Sequence, residues 1–426
     1  MNKTPGIHAP FVALLACALF AAVTATVTSL APHRTWGALA ACAYALAAFA
    51  ALRGLRILAR VTALAGAVCV PLALLAVRGS AQEEVHVVHR AAARLLTEGT
   101  PYLSAGQLEG ADYTAYNPYL PGMALFGIPH QLAGVDARFV FAACFALTLA
   151  LSARLAHGAG QGRRAAVLLT ASPLIALPLV TGGDDLPVIG LVCLGLALAG
   201  RDRPGRAGLV LGLAALLKAT AWPALAVAPA LLAARAVRGG RRPGPRTVPR
   251  FAAGAALPLV VGLALPALAD PGGLLANTVR YPLGLAGVES PAAAPLPGRL
   301  LADAGPLGHA LAVGGLLAAA LAVAVSLYVR PPGDVRAAAL RLAAGLLAAM
   351  ALMPASRFGY LVYPAVLALW AYWRNPDAEP APDPLAQRAV YVRHFGPHAD
   401  RHERLPAAPG RHREVRPRDG APLPAG

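Results

Sequence analysis

"RVTALAGAVCVPLALLAVRGS", residues 60–80, carries no charge between Arg60 and Arg78, and the chain then turns abruptly polar in "QEEVHVVHR", residues 82–90. An apolar run of about 18 residues suffices for a helix to cross the hydrocarbon core of a bilayer. The same texture recurs along the chain. Of its 426 residues, 57% are hydrophobic and only 13% charged, and the mean hydropathy is +0.58. The apolar residues come in long blocks rather than amphipathic stripes, which excludes an ordinary soluble domain. A membrane β-barrel would need alternating apolar and polar residues, so the expected fold is all-α, a polytopic bundle of transmembrane helices.

The formal charge of +17 does not point to nucleic acid, because the arginines stand in short clusters between the apolar blocks. Clusters at 53–60, 154–164, 201–206, 235–250 and 330–336 are assigned to the cytoplasm by the positive-inside rule. With the N-terminus inside, helices near 9–31, 36–52, 57–78, 138–156, 165–181, 185–200, 251–269, 307–329, 336–353 and 358–373 place every cluster on that side. This gives about ten spans plus one hairpin. The hairpin is 207–234, basic at both ends, with its turn at "KATAWP" because the residue before a proline disfavours helix. "LPGMALFGIPHQLAG", residues 120–134, is too short and too rich in Pro and Gly to span, and reads as a re-entrant or interfacial piece. "FVALLACALFAAVTATVTSLA", residues 11–31, is long for a signal peptide and reads as an uncleaved first helix. The five cysteines lie inside apolar blocks without paired spacing, giving neither a disulfide framework nor a metal site. The membrane domain is expected over 1–374. The tail 375–426, rich in Pro, Arg and His, is expected to be a disordered cytoplasmic extension.

The outer face then carries 79–137, the "TGGDD" corner at 181–185, the loop 270–306 and "MPASRFG" at 353–359. Within the first of these, Val85, Val88, Ala92 and Leu95 recur at helical spacing while His86, Arg90 and Arg94 fall on another face. This predicts a surface helix over 85–97, stopped by Gly99 and Pro101. Glu83 and Glu84 sit at its first turn, where the helix dipole favours negative charge. A structural reading of the two carboxylates is therefore available, and so is a chemical one at a lipid–water boundary.

The residues beyond the helix decide between them. Glu84, the helix, Gly99-Thr100-Pro101-Tyr102 and Tyr116-Asn117-Pro118 come in an order that resembles the GT-C glycosyltransferases, with the strongest likeness to family 87, which contains actinobacterial α-mannosyltransferases. "TGGDDLPVIGL", "GLAALLKATAWPAL", "NTVRYPLGLAGVESPAAAPLPG" and "SRFGYLVYP" are similar to later segments of that family, so the likeness runs over roughly 60–373. It implies a GT-C-like bundle in the plasma membrane with a large extracytoplasmic catalytic loop. It also implies transfer of a hexose, mannose above all, from a polyprenyl-phosphate sugar to an envelope glycolipid or glycan, with no cofactor. The composition, rich in Ala, Arg, Gly and Pro, fits an actinobacterial source. The family's acid is usually aspartate, whereas this chain offers Glu83 and Glu84, with Glu84 better spaced from the helix.

An inverting transfer needs a carboxylate to take the acceptor proton and positive groups to hold the departing phosphate. Glu84 is the expected base and Glu83 its alternate. Arg280, Arg299, Arg357 and Lys218 are the phosphate candidates, although outer-loop arginines also commonly face only water or head groups. Lys218 lies mid-hairpin, where a buried charge costs about 2.5–3.5 kcal/mol and demands a partner. Asp184 and Asp185 are available for that, for capping the helix at 185–200, or for sugar hydroxyls. Tyr102, Tyr113, Tyr116, Asn117 and Tyr119 could form a sugar platform, and Asn277 of "NTVRYP" is a further sugar or acceptor candidate, though tyrosines are enriched at any membrane interface. His86, His89 and His130 lack zinc spacing, so no metal is expected. The expected partners are lipid-linked donor, glycan acceptor and membrane lipids. A transporter or lipid-linked-sugar flippase is the alternative, since a broken hairpin carrying a lysine would suit it. A membrane scaffold would leave the outer polar residues unexplained.

Overall fold

The computed structural model describes residues 8–158, 169–238, 244–288 and 291–372. Among the described residues the fold is all-helical, and the sole β-feature is one isolated bridge, Ala293 with Ser356. Eight helices are long and apolar enough to cross a membrane, and three apolar helices are shorter, so this is a multi-pass membrane protein. The main helices are α1 (His8–Val27), α2 (Ala31–Leu52), α3 (Arg56–Val77), α4 (Glu83–Glu98), α5 (Ala137–His157), α6 (Pro173–Thr181) and α7 (Asp185–Ala199). After them come α8 (Pro204–Leu217), α9 (Trp222–Arg238), α10 (Thr247–Ala269), α11 (Pro306–Val329), α12 (Val335–Leu352) and α13 (Val362–Tyr372). The expected helix at 165–181 falls partly outside the described residues, as does the whole tail from 375.

The expected hairpin at 207–234 is α8 and α9, and the break falls at Lys218, whose backbone is extended (φ −157°, ψ 140°). A short 3-10 turn at Ala219–Ala221 then leads into α9. Trp222, before Pro223, is itself helical (φ −59°, ψ −38°), so the break at Lys218 lies ahead of the proline expected to cause it. Proline chemistry does shape α3. Pro71 has no N–H for the carbonyl of Ala67, and the helix opens into a π turn at Ala65–Cys69. The indole of Trp36, fully buried in α2, donates to that carbonyl at 2.8 Å. A break in one span is thus satisfied by the neighbouring span, which a lipid-buried backbone requires.

Small residues bring α8 and α10 into close contact. A Cβ on Gly208 would lie 2.1 Å from the Phe251 carbonyl oxygen, and one on Gly212 2.4 Å from that of Ala255. Membrane helices gain little from hydrophobic association, so backbone approach of this kind supplies the dispersion contact that holds them. The core itself runs through α2, α3, α5, α7, α9, α12 and α13.

The 120–134 segment packs against the protein through Pro121, Gly122, Met123, Ala124 and Gly127, while Leu125 and Leu132 are exposed. It forms a 3-10 stretch, Pro121–Gly127, followed by a short helix, Ile128–Ala133. Leu120 N donates to Leu217 O at 3.1 Å, directly beside the hairpin break. On its other side, Gly127 packs against the backbone of Val88 in α4. Helix α4 ends at Gly99, whose φ of 73° lies in the left-handed region that favours glycine. It buries Val85, Val87, Val88, Ala91 and Ala92, and this fixes which carboxylates its first turn presents. Arg138, wholly buried, ties the segments together by donating to Asp136, Ser80 O and Val180 O. Around this clamp the ends of α3, α6 and the start of α5 meet.

Candidate active site

Two carboxylates stand at the start of α4, and they have different partners. Glu83 Oε1 accepts from Arg90 Nη2 at 2.6 Å, one face of α4 bonding back on itself, and Arg90 also donates to Thr114 O at 2.8 Å. Glu84 instead accepts from Arg357 Nη1, a residue 273 positions away in the turn between α12 and α13. Their side chains are 17% and 36% exposed, so the pair is sheltered yet reachable. Burial works against the charge on Arg357, but Glu84 and the hydroxyls of Tyr360 and Tyr119 outweigh it and raise its pKa above the ordinary guanidinium value.

A second charged group lies at the hairpin break. Lys218 Nζ donates to Asp184 Oδ2 at 2.9 Å and to Asp185 Oδ1 at 2.5 Å. Tyr363 OH donates to the same Asp185 oxygen at 2.7 Å, and Thr220 in turn donates to the Tyr363 oxygen at 2.8 Å. The rings of Tyr119 and Tyr360 each lie 5.2 Å from the ammonium, in cation–π range. The three charged side chains are only 7–14% exposed. Asp184, at the start of α7, makes no side-chain cap bond, so the carboxylates serve the lysine rather than the helix end.

The two groups are neighbours. Tyr119 feels the charges of both Asp184 and Glu84, while Tyr360 influences Arg357 and lies over Lys218. Burial, and then Asp184, push the Tyr119 hydroxyl well above its usual pKa, so it stays protonated. The result is a partly open carboxylate–guanidinium pair backed by two tyrosines and a closed lysine–carboxylate cluster.

The remaining sequence candidates are distributed elsewhere. Tyr102, Asn117 and Asn277 are buried and build the loop: Tyr102 OH donates to Tyr119 O at 2.9 Å, and Asn117 N donates to Asn277 Oδ1 at 2.9 Å. Asn277 Nδ2 donates onward to Leu103 O at 3.0 Å and Gly273 O at 2.8 Å. Tyr116 stacks on Tyr281 with centroids 4.5 Å apart. These contacts join the 99–119 segment to the start of the 270–306 loop and hold Tyr119 over Lys218. Arg299 is paired with Asp303 one helical turn on, and Arg280 is exposed; neither has a contact with Glu84. Tyr119, expected from the sequence as part of a sugar platform, lies over Lys218 together with Tyr360, which sequence reasoning missed, as it did Tyr363 and Thr220, the outer partners of Asp185. The "RFGYLVYP" run held a signal for Tyr360 and Tyr363, three apart and so on one helix face.

The model of glycosyltransferase family 87 matches residues 117–354, more than half of the chain. No curated protein and no solved structure matches it. Asp184, Asp185, Lys218 and Asn277 lie inside the matched residues, whereas Glu84 and Arg357 lie outside them.

Proposed function

From the premise that the chain belongs to glycosyltransferase family 87, and is thus a membrane glycosyltransferase, we propose a polyprenyl-phosphate-dependent hexosyl transfer on the extracytoplasmic face of the plasma membrane. The sugar is mannose and the acceptor an envelope glycolipid or glycan. The observation that carries this reading is the meeting of Glu84 and Arg357 at the edge of the bundle. One is suited to take a proton, the other to hold a phosphate.

The unliganded pair keeps the two groups close. A donor phosphate competes with Glu84 for the guanidinium, whose planar fork suits phosphate oxygens. Released from Arg357, the Glu84 carboxylate accepts a hydrogen bond from the acceptor hydroxyl. That hydroxyl oxygen attacks the anomeric carbon as its proton passes to Glu84. The bond from the anomeric carbon to the phosphate oxygen breaks, and the electron pair leaves with the phosphate. Attack from the face opposite the leaving group inverts the anomeric configuration. Tyr119 and Tyr360, on the buried side of the pair, supply neutral hydroxyls and ring faces against which a sugar can pack. Tyr102, Tyr116, Asn117 and Asn277 act from behind, setting the loop that carries Tyr119. Asp184 and Asp185 hold Lys218, and through it the floor of the site.

The test uses membranes containing the full-length protein and radiolabelled polyprenyl-phosphate mannose. Glu84→Gln is expected to lose about 10²–10⁴-fold in transfer rate, the range for removing a general base. Glu83→Gln should stay close to wild type, since Glu83 is tied to Arg90. Near-normal transfer by Glu84→Gln would dismiss the assignment, and equal losses in both variants would dismiss the distinction between them.

A further inference from the structure

At the end of the bundle away from Glu84 there is a cavity of about 580 Å³. Helices α5, α7, α9 and α13 run from the active-site end and finish there, and α12 begins there. Over the 15 residues of α7 the two ends are about 22 Å apart. The lining includes His157, Arg201, Arg235, Asp334, Arg336 and Trp370.

We propose that this cavity binds an anionic phosphate group, presented by a phospholipid headgroup or by a soluble phosphate ester. The opposing influences are largely spent within the protein. Four helix C-termini turn carbonyls toward this end, which would repel an anion. Leu155 O, however, already accepts from Arg201 Nε and Nη2 at 2.9 and 2.6 Å, and Trp370 O accepts from His157 Nε2 at 3.1 Å. The Asp334 carboxylate caps α12 by accepting from Ala337 N at 2.7 Å.

The attractive groups are less committed. Arg235 holds Asp202 through two long contacts, Nε and Nη2 each 3.4 Å from a carboxylate oxygen, with Asp202 66% exposed. Arg336 lies with its guanidinium carbon 4.2 Å from the Tyr372 ring centroid, an arrangement that leaves the N–H edges free to donate. The third observation is independent of charge. Trp370 is 1% exposed, and its indole N–H is buried without a hydrogen-bond partner among the described residues. A buried donor left unpaired is unfavourable, and a phosphate oxygen would satisfy it. Basic pockets between transmembrane helices at the arginine-rich membrane end take anionic headgroups by this chemistry.

The full-length protein in detergent is titrated with phosphatidylglycerol, phosphatidylcholine or glycerol 3-phosphate, reading thermal stability and, by native mass spectrometry, retained lipid. Wild type should retain phosphatidylglycerol in preference to phosphatidylcholine and gain thermal stability from it. Arg235→Gln with Arg336→Gln should weaken that binding at least about tenfold, two charge-assisted contacts being removed. Trp370→Phe keeps the ring, loses the N–H and should weaken it about threefold; as a near-isosteric change it also serves if the double variant does not fold. Glu84→Gln should leave retention unaltered. Displacement by millimolar glycerol 3-phosphate assigns the site to a soluble ester, and persistence against it assigns a lipid. Equal retention of the anionic and zwitterionic lipids by wild type, or unchanged binding in both variants, would overturn the proposal.

Discussion

Two ion-paired groups lie side by side in this protein, and they are built to opposite ends. At Lys218 each charge is saturated: two carboxylates, two aromatic faces, a tyrosine hydroxyl and a threonine behind it leave the ammonium 11% exposed. At Glu84 a single guanidinium is the partner, and the pair remains open on one side. A charge that stays fixed can be enclosed, because its desolvation is repaid by contacts that never change. A charge that must exchange partners during a reaction has to keep them few and stay within reach of substrate. The contrast assigns structure to one cluster and chemistry to the other, although both sit at the same level of the bundle.

The most severe way to break the contrast is at the lysine. Lys218→Met leaves two buried carboxylates without their cation, and removal of one partner from a buried ion pair costs about 3–5 kcal/mol. The expected result is a large fall in the thermal unfolding temperature in detergent, with activity lost alongside the fold. Adding Asp184→Asn and Asp185→Asn removes the uncompensated charge and should recover most of the loss. An unfolding temperature unchanged in Lys218→Met, with only the donor KM raised, would instead make Lys218 a phosphate ligand.

Arg357 should behave in the reverse way. Removing a partly exposed ion pair costs at most about 1 kcal/mol of stability. The leaving phosphate, by contrast, loses its cationic contact, so Arg357→Gln should lower kcat/KM about 10–100-fold, equivalent to roughly 1.4–2.7 kcal/mol in the transition state. Arg357→Lys keeps charge without the planar fork and should fall between. Steady-state kinetics at varied donor concentration, paired with thermal unfolding, check both halves; a stability loss as large as that of Lys218→Met would erase the distinction. Smaller still is Arg90→Gln, which unpairs the exposed Glu83 and should alter transfer by no more than about threefold, as surface pairs do.

Much of this was readable from the residues, for identifiable reasons. Apolar runs report spans directly, because length and hydropathy are the only requirements lipid imposes. The helix from Glu83 was legible from amphipathic spacing, and the hairpin break within "KATAWP" was legible in place but not in cause: Trp222, before the proline, is helical (φ −59°, ψ −38°), and the extended residue is Lys218. Lys218 in an apolar setting demanded an anion, and "GGDD" was the nearest in kind. The pairing of Glu84 with Arg357 was not legible, since no local pattern links residues on opposite ends of the chain. Nor was the burial of Tyr102, Asn117 and Asn277, whose polar side chains look alike whether they face a ligand or brace a loop. The Arg299–Asp303 pair could have been read from its i, i+4 spacing, which would have distinguished Arg299 from Arg357 beforehand.

A third group, between α4 and the short helix Ile128–Ala133, sharpens the comparison through pH. His89 stacks on His130 with centroids 3.7 Å apart and planes within 1°. Its Nε2 accepts from the Ala137 N–H at 3.1 Å, at the start of α5, so this nitrogen must be unprotonated. Burial first, and then the neighbouring His130, lower its pKa from 6.5 to about 4. The unfolded chain therefore binds a proton that the folded protein refuses between those values. Stability should be fully present above pH 6.5 and decline as the pH falls toward 4. Protonation would place a cation against the second imidazole and convert the acceptor of the Ala137 bond into a donor. His89→Gln retains an acceptor that does not titrate, so its unfolding temperature should be flatter between pH 7 and 4.5 than that of wild type. Parallel curves for the two proteins would show that the acid sensitivity arises elsewhere. A drop in transfer that follows the His89 transition in wild type and is absent from His89→Gln would come from the contact that joins α4 to the start of α5.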